Sequence, residues 1–323
     1  MRLRKNKMKY DVIGDVHGQA GKLEALLLTM DYLEVDGVWT PPAGHMAVFL
    51  GDLIDRGPEQ VKVLQMVRKM VEAAHAWCIM GNHELNAIGF TTPSREKPGE
   101  FLRKNDQKNR HQHAEFLSQI CEGSDLHVST IEWFKTLPPM IDLGGLRVVH
   151  AWWHQPYVDL VKERFWDGDT MNDDFLHESF KKGSPAYEAM EGLAKGQEID
   201  LPPGNFFVDA NGSKRKKIRT KWWLDGSGGY QQVGMSELGH EMPDMKVPEE
   251  FIGGEPEGAP VMVGHYWFRG EPEVQSPKLA VLDWSAAKEG PLVAYRWSGE
   301  EELLSSNLVS AGSELKSHLK LQI

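Results

Sequence analysis

Gly14-Asp15-Val16-His17-Gly18, Gly51-Asp52-Leu53-Ile54-Asp55-Arg56-Gly57 and Gly81-Asn82-His83-Glu84 decide the reading of this chain. Each string pairs a metal-binding side chain with a glycine that lets the backbone turn sharply. Each follows an apolar run that reads as a buried strand: Tyr10 to Ile13, Met46 to Leu50 and Ala76 to Met80. Three strands that end in Asp, His or Asn aim those groups at one point. An α/β fold assembles a two-metal site in that way.

The residue types say which chemistry. Carboxylate, imidazole and amide oxygen together suit Mn, Fe or Zn. Asp15 and His17 alternate, so an extended strand points them to one side, where they hold one metal. Asp52 has two carboxylate oxygens and is a candidate bridge between two metals. Asn82 offers a neutral oxygen to the second. Two metals ~3.5–4 Å apart share a hydroxide that is nucleophilic at neutral pH, and they neutralise phosphate oxygens. Arg56 adds a planar cation suited to gripping phosphate. His83, one residue past a ligand, is a candidate proton donor with Asp55 as its partner.

The order GDxHG, GDxxDRG, GNHE resembles the PPP-type metallophosphoesterases, the calcineurin-like phosphatases. Two later strand-end histidines extend the likeness: Arg147-Val148-Val149-His150-Ala151 and Val261-Met262-Val263-Gly264-His265. The resemblance implies that Asp15, His17 and Asp52 hold one divalent ion. Asp52, Asn82, His150 and His265 then hold the other. Manganese is the first choice, ahead of Fe, Zn, Ni and Co. Arg56, Asn82 and a second arginine bind the phosphate, and His83 with Asp55 protonates the leaving oxygen. Arg219 is the second arginine by order, with Arg164 and Arg269 as alternatives. The implied fold is an α/β sandwich of two mixed β-sheets packed face to face, flanked by helices, with a large insertion. The implied reaction is in-line attack on phosphorus by the shared hydroxide.

The chain also departs from the pattern. It reads His150-Ala151-Trp152-Trp153 where many relatives have glycine two residues after the histidine, and bulky tryptophans there narrow the site or change the turn. Met80 stands where eukaryotic protein phosphatases place arginine. Gly264-His265-Tyr266-Trp267 resembles the symmetrical diadenosine tetraphosphatases, whereas Asp55 and Glu84 lean toward the bacterial protein phosphatases. A phosphate monoesterase acting on a phosphoprotein or a small ester is therefore the first functional expectation. A dinucleoside polyphosphate hydrolase is the second, and a catalytically silent phosphate-binding protein the third.

Composition fits a globular enzyme. Of 323 residues, 41% are hydrophobic and 26% charged, and 36 Lys and Arg face 47 Asp and Glu for a net charge of −11. Such an acidic chain is not built to coat nucleic acid. The two cysteines, Cys78 and Cys121, form no disulfide framework. No apolar run reaches the ~20 residues that cross a membrane. The segment 1–9 is basic without a signal peptide's apolar stretch, so the cytoplasm is the expected compartment.

Residues 1–323 read as one domain, with 1–9 and 305–323 as tails and 152–257 as an insertion that sets specificity. Apolar spacing predicts helices over 19–32, 58–74, 111–121, 129–136, 157–165, 174–181 and 186–193. Strands are expected at 140–143 and 146–150, joined at Gly144-Gly145. A hairpin is expected from Phe206–Asp209 through Asn211-Gly212 to Ile218–Trp223. The strands 278–282 and 292–297 are expected to close the second sheet. His111 and His113 have no partner motif and read as solvated. Gly226-Ser227-Gly228-Gly229 lacks the ending of a phosphate-binding loop and reads as a flexible loop. Trp152, Trp153, Trp166, Trp222, Trp223 and Trp267 read chiefly as packing residues, with base stacking the alternative.

Overall fold

A computed structural model describes residues 8–208, 214–235 and 242–311. Two principal sheets carry the architecture. The strands of the first, in chain order with those of the second, are β1 (Lys9–Ile13), β2 (His45–Phe49), β3 (Ala76–Cys78), β4 (Met140–Asp142), β5 (Arg147–Val149), β6 (Val261–Val263), β7 (Leu279–Val281), β8 (Leu292–Trp297) and β9 (Leu308–Ala311). The first sheet runs β9-β8-β1-β2-β3 and the second β7-β6-β5-β4. β1, β2 and β3 are parallel, as are β5, β6 and β7. β8, β9 and β4 pair antiparallel with their neighbours. Both sheets are thus mixed.

The sheets pack face to face. Val12, Val48, Val293 and Tyr295 of the first form one buried cluster with Val148, Met262 and Ala280 of the second. Burial on both faces explains why these strands read as near-continuous apolar runs. Met262 is fully buried at this seam. Met262→Ala is expected to cost about 2–5 kcal/mol, read as a lower midpoint in urea unfolding with an unchanged slope.

Helices cover the outside where the apolar spacing placed them. Ala20–Thr29 follows β1 and Gln60–Glu72 follows β2, the latter burying Val63, Leu64, Met66, Val67 and Met70 along one face. Pro58 precedes that helix and does not enter its first turn. Helices also form at Gln107–Gln112, Ala114–Gln119, Asp125–Phe134, Gln155–Arg164, Asp173–Glu178 and Pro185–Lys195. Asn172 caps the helix Asp173–Glu178 through Phe175 N, so the acidic stretch before it is a helix start.

Several expectations are corrected. β8 does not join the second sheet: it lies in the first, antiparallel to β1 and flanked by β9. Its buried side chains fill both faces, which is why the run carries no period that names its sheet. β9 is an edge strand inside the segment expected to be a tail, while residues 312–323 lie outside the described residues.

The basic hairpin is also different. Phe207–Val208 pairs with Lys214–Arg215, whereas Lys217–Thr220 pairs with Glu198–Asp200 and Gly234–Met235. Ile218 opposite Ile199, with Tyr230 and Val233, forms a small core that fixes this register. The Asn211-Gly212 turn lies outside the described residues. In the stretch 226–229, Ser227 and Gly228 form an exposed turn, while Gly226 and Gly229 are buried. Gly229 (φ +64°) opens the helix Gly229–Val233, and a Cβ there would meet Met245 O at 2.2 Å.

Among the described residues no helix is long and apolar enough to cross a membrane.

Candidate metal centre

The carboxyl ends of the parallel strands of both sheets converge. Asp15 and His17 follow β1, Asp52 follows β2 and Asn82 follows β3. From the second sheet His150 follows β5 and His265 follows β6. All six are buried. Open α/β sheets bind ligands at such carboxyl ends.

Asp52 sits at the centre. Its Oδ2 lies 3.5 Å from His17 Nε2, and its Oδ1 lies 3.4 Å from His150 Nε2. Asn82 Oδ1 is 3.3 Å from His150 Nε2. Two triads, His17/Asp52/His83 and Asp52/His150/His265, have their ligand atoms within 4.8 Å of one another. Asp15 stands beside them, its Oδ2 accepting the His265 N–H at 3.0 Å. β1 has ended at Ile13 and the chain turns left-handed at His17 (φ +45°). Strand alternation therefore does not describe Asp15 and His17: the first faces the His265 loop, the second Asp52. Gly264 makes room, because a Cβ there would lie 2.0 Å from Asp15 Oδ1.

The backbone is strained where the site is. Of ten non-glycine residues with positive φ among the described residues, six are His17, Asp52, Asp55, Arg56, His265 and Trp267. Such conformations cost of order 1–3 kcal/mol each and persist where surrounding structure fixes them. Glu84 does much of that fixing. Its buried carboxylate accepts the N–H groups of Asp52, Leu53 and Gly81 at 2.8–2.9 Å. Gln60, at the start of its helix, accepts the Asp55 N–H at 2.8 Å and donates to Gly57 O.

The donor set fits divalent cations. Seven buried side-chain polar atoms among the described residues lack a hydrogen bond, and Asp15 Oδ1, His17 Nε2 and His265 Nε2 are three of them. Orphaned buried polar atoms are rare, and such donors fit a divalent cation. His17 Nδ1 and His150 Nδ1 donate to Ile54 O and Leu50 O at 2.7 and 2.6 Å, which leaves each Nε2 lone pair facing inward. Burial, then the Arg56 charge, hold His17 well below the usual imidazole range; burial, then Arg219, do the same for His265. Neutral imidazoles are what a metal requires.

Burial and the carboxylates of Asp283 and Asp52 push the Asp15 carboxyl up. His150 is drawn to about 10 against its burial, chiefly by Asp52 and Asp15. A bound divalent cation would take the place of that proton.

Around this core stand the groups expected to bind phosphate and to donate a proton. His83 Nδ1 meets Asp55 Oδ2 at 2.5 Å, and its Nε2 lies 3.4 Å from Arg56 Nη2. The Arg56 guanidinium stacks 3.5 Å over the Trp267 ring, with Lys288 Nζ 4.6 Å from the same ring. Arg219 sits in the strand Lys217–Thr220, close enough to act on His265, and its Nε is buried without a hydrogen bond. Arg164 instead pairs with Glu178 away from the site, and Arg269 is exposed at the rim. All these groups except Arg164 line one cleft of about 1770 Å³.

The tryptophans after His150 do not narrow this cleft. Trp152 and Trp153 are buried away from it, and Trp222 donates to Ala151 O at 3.0 Å. Trp152, Trp222 and Trp223 pack on one another, and Trp166 is exposed elsewhere. Only Trp267 of the six lines the cleft.

Two residues escaped the sequence reading. His113, expected to be solvated, is buried, and its Nδ1 lies 2.7 Å from Asp55 Oδ1; His111 is exposed as expected. Asp283 follows β7, buried, accepting Trp267 N and Ser285 N. Its signal was present: an apolar strand ending in aspartate, like the others.

A family model for calcineurin-like phosphoesterases matches residues 8–201. The chain belongs to that family. Arg219 and His265 lie beyond the matched stretch. The chain is 42% identical over 144 residues to the asymmetrical bis(5'-nucleosyl)-tetraphosphatase PrpE of Oceanobacillus iheyensis, covering 45% of this chain and 55% of that one. It is 30% identical over 156 residues to the symmetrical bis(5'-nucleosyl)-tetraphosphatase of Aromatoleum aromaticum, covering 47% and 48%. It thus spans about half the length of these curated relatives. Among solved structures, a protein serine/threonine phosphatase from Saccharomyces cerevisiae aligns over 95% of this chain and 79% of its own at 13% identity, with a TM-score of 0.46.

Proposed function

We propose that this phosphoesterase hydrolyses phosphate monoesters, with Asp15, His17, Asp52, Asn82, His150 and His265 holding two divalent cations. Manganese is the first candidate for both. Bound there, the cations supply Lewis acidity and an activated water at neutral pH. The chain's own groups do the rest. Arg56, with Arg219 from the far wall, grips the non-bridging oxygens, and Asn82 helps orient them. His83 Nε2 gives its proton to the departing oxygen while Asp55 holds the ring through Nδ1.

The observation that carries this reading is the buried Asp55–His83 pair facing the cleft beside Arg56. An alkoxide is a poor leaving group and needs a proton as its bond to phosphorus breaks. A leaving phosphate of an anhydride needs it far less. The pair therefore favours monoesters, whether on a protein or a small molecule. We take 152–257 to set specificity within one domain, and the cytoplasm as the compartment.

A second reading is hydrolysis of dinucleoside polyphosphates. It is favoured by the named relatives and by the cleft's lining of twelve Lys or Arg against six Asp or Glu, in a chain whose total is −11. A long anionic substrate suits such walls.

The test uses chelator-treated protein reloaded with manganese, given p-nitrophenyl phosphate, a phosphoserine peptide or diadenosine tetraphosphate. Phosphate release from the first two, with slow turnover of the third, is expected. ADP as the sole product from the third, or AMP with ATP, together with idle monoesters, selects the second reading. Hydrolysis of none of them with any divalent metal removes both.

A further inference from the structure

We propose that His113 is a positioning residue of this reaction: it clamps the Asp55 carboxylate from the side opposite His83. The inference rests on the monoesterase reading, because it concerns the proton that His83 delivers.

Asp55 is held between two imidazoles. His83 Nδ1 lies 2.5 Å from Oδ2 and His113 Nδ1 lies 2.7 Å from Oδ1. An ionised carboxylate only accepts, so both Nδ1 atoms donate to it. Burial raises the Asp55 carboxyl, but the hydrogen bonds from His113 and His83 overcome this and hold it well below the usual range. One hydrogen bond would leave the carboxylate free to rotate about its Cβ–Cγ bond. A second, on the other oxygen, fixes its plane. The Asp55 backbone is fixed as well, left-handed at φ +68° with its N–H on Gln60.

His113 is itself immobilised. Its ring stacks on Phe116 with centroids 4.6 Å apart and rests against Phe90 at 5.5 Å. It stands at the joint between the helices Gln107–Gln112 and Ala114–Gln119, its N–H reaching the carbonyls of Asn109 and Arg110. A buried, aromatic-packed histidine with one ring nitrogen on a carboxylate is a support for that carboxylate.

The consequence falls on His83. With Nδ1–H committed to a fixed acceptor, the proton available for transfer is on Nε2, which faces the cleft. When the ester bond breaks, its electron pair goes to the leaving oxygen and the Nε2 proton follows. Loosening Asp55 lets the His83 ring swing and blunts that step alone.

The experiment compares His113→Ala and His113→Asn with the wild type on two substrates. p-Nitrophenoxide leaves without a proton; the serine alkoxide of a phosphopeptide does not. For His113→Ala, kcat on the phosphoserine peptide is expected to fall about 10- to 100-fold. KM, metal content and turnover of p-nitrophenyl phosphate stay near wild type. Asn, whose amide donates from near the Nδ1 position, recovers most of the loss. If the Ala protein does not fold, Leu replaces it, filling the gap between Phe90 and Phe116 without donating.

Equal losses on both substrates overturn the proposal, as do wild-type behaviour of the non-donating variant and an Asn variant no better than it. A wild type that turns over neither substrate removes the monoesterase reading and this inference with it.

Discussion

Asp52→Asn is expected to abolish turnover, lowering kcat/KM by at least about 10³-fold, roughly 4 kcal/mol of transition-state stabilisation. The geometry argues for so large an effect. One Asp52 oxygen faces His17 and the other faces His150, at 3.5 and 3.4 Å. The Oδ1 atom also accepts the His83 N–H at 2.9 Å. Asparagine keeps the shape but loses the charge, and its NH₂ must point at one of two imidazole lone pairs. Were two cations held there, their repulsion would no longer be offset by the Asp52 charge. Metal analysis of the purified variant should show a clear deficit relative to wild type, with the sandwich intact by far-UV circular dichroism. A variant with full metal content and near-normal turnover refutes the bridging role.

The second large effect is expected at His83. His83→Asn should lower kcat on alkyl phosphates by about 10²–10⁴-fold, the usual contribution of a positioned acid. Its backbone N–H still reaches Asp52, so the loop stays anchored. Metal content should stay close to wild type. This outcome discriminates, because His83 Nε2 also lies 3.8 Å from Asp52 Oδ2, within the His17 triad. Metal loss in His83→Asn as deep as in Asp52→Asn makes His83 a ligand rather than an acid.

The sandwich was legible because its motifs punctuate strands. Tyr10 to Ile13, Met46 to Leu50 and Ala76 to Met80 each end within one or two residues of the observed strand, since a buried parallel strand needs apolar side chains on both faces. The same property hid the sheet to which Leu292–Trp297 belongs. A run without alternation carries no face preference, and only its pairing with β1 decides. The six candidate ligands could be named because each stands just past such a run, and the structure gathers them at one seam.

His113 could not be found in that way. Its partner Asp55 is 58 residues distant, and the four residues before it in the chain are polar. The pocket that buries it comes from Phe90 and Phe116, on two different helices. The basic hairpin failed for a related reason. Ile218 found its apolar partner upstream, at Ile199, while Phe207–Val208 pairs with Lys214–Arg215.

The seam itself has a mechanical meaning. Asp15, His17, Asp52 and Asn82 are carried by one sheet, His150 and His265 by the other. Their meeting point is a vernier for the alignment of the two layers. A slide of either layer along its strands by one residue carries its strand-end side chains about 3.3 Å out of place and takes a whole share of the cluster with it. Damage anywhere along the packed interface, even far from the cleft, therefore registers as lost chemistry before it registers as unfolding.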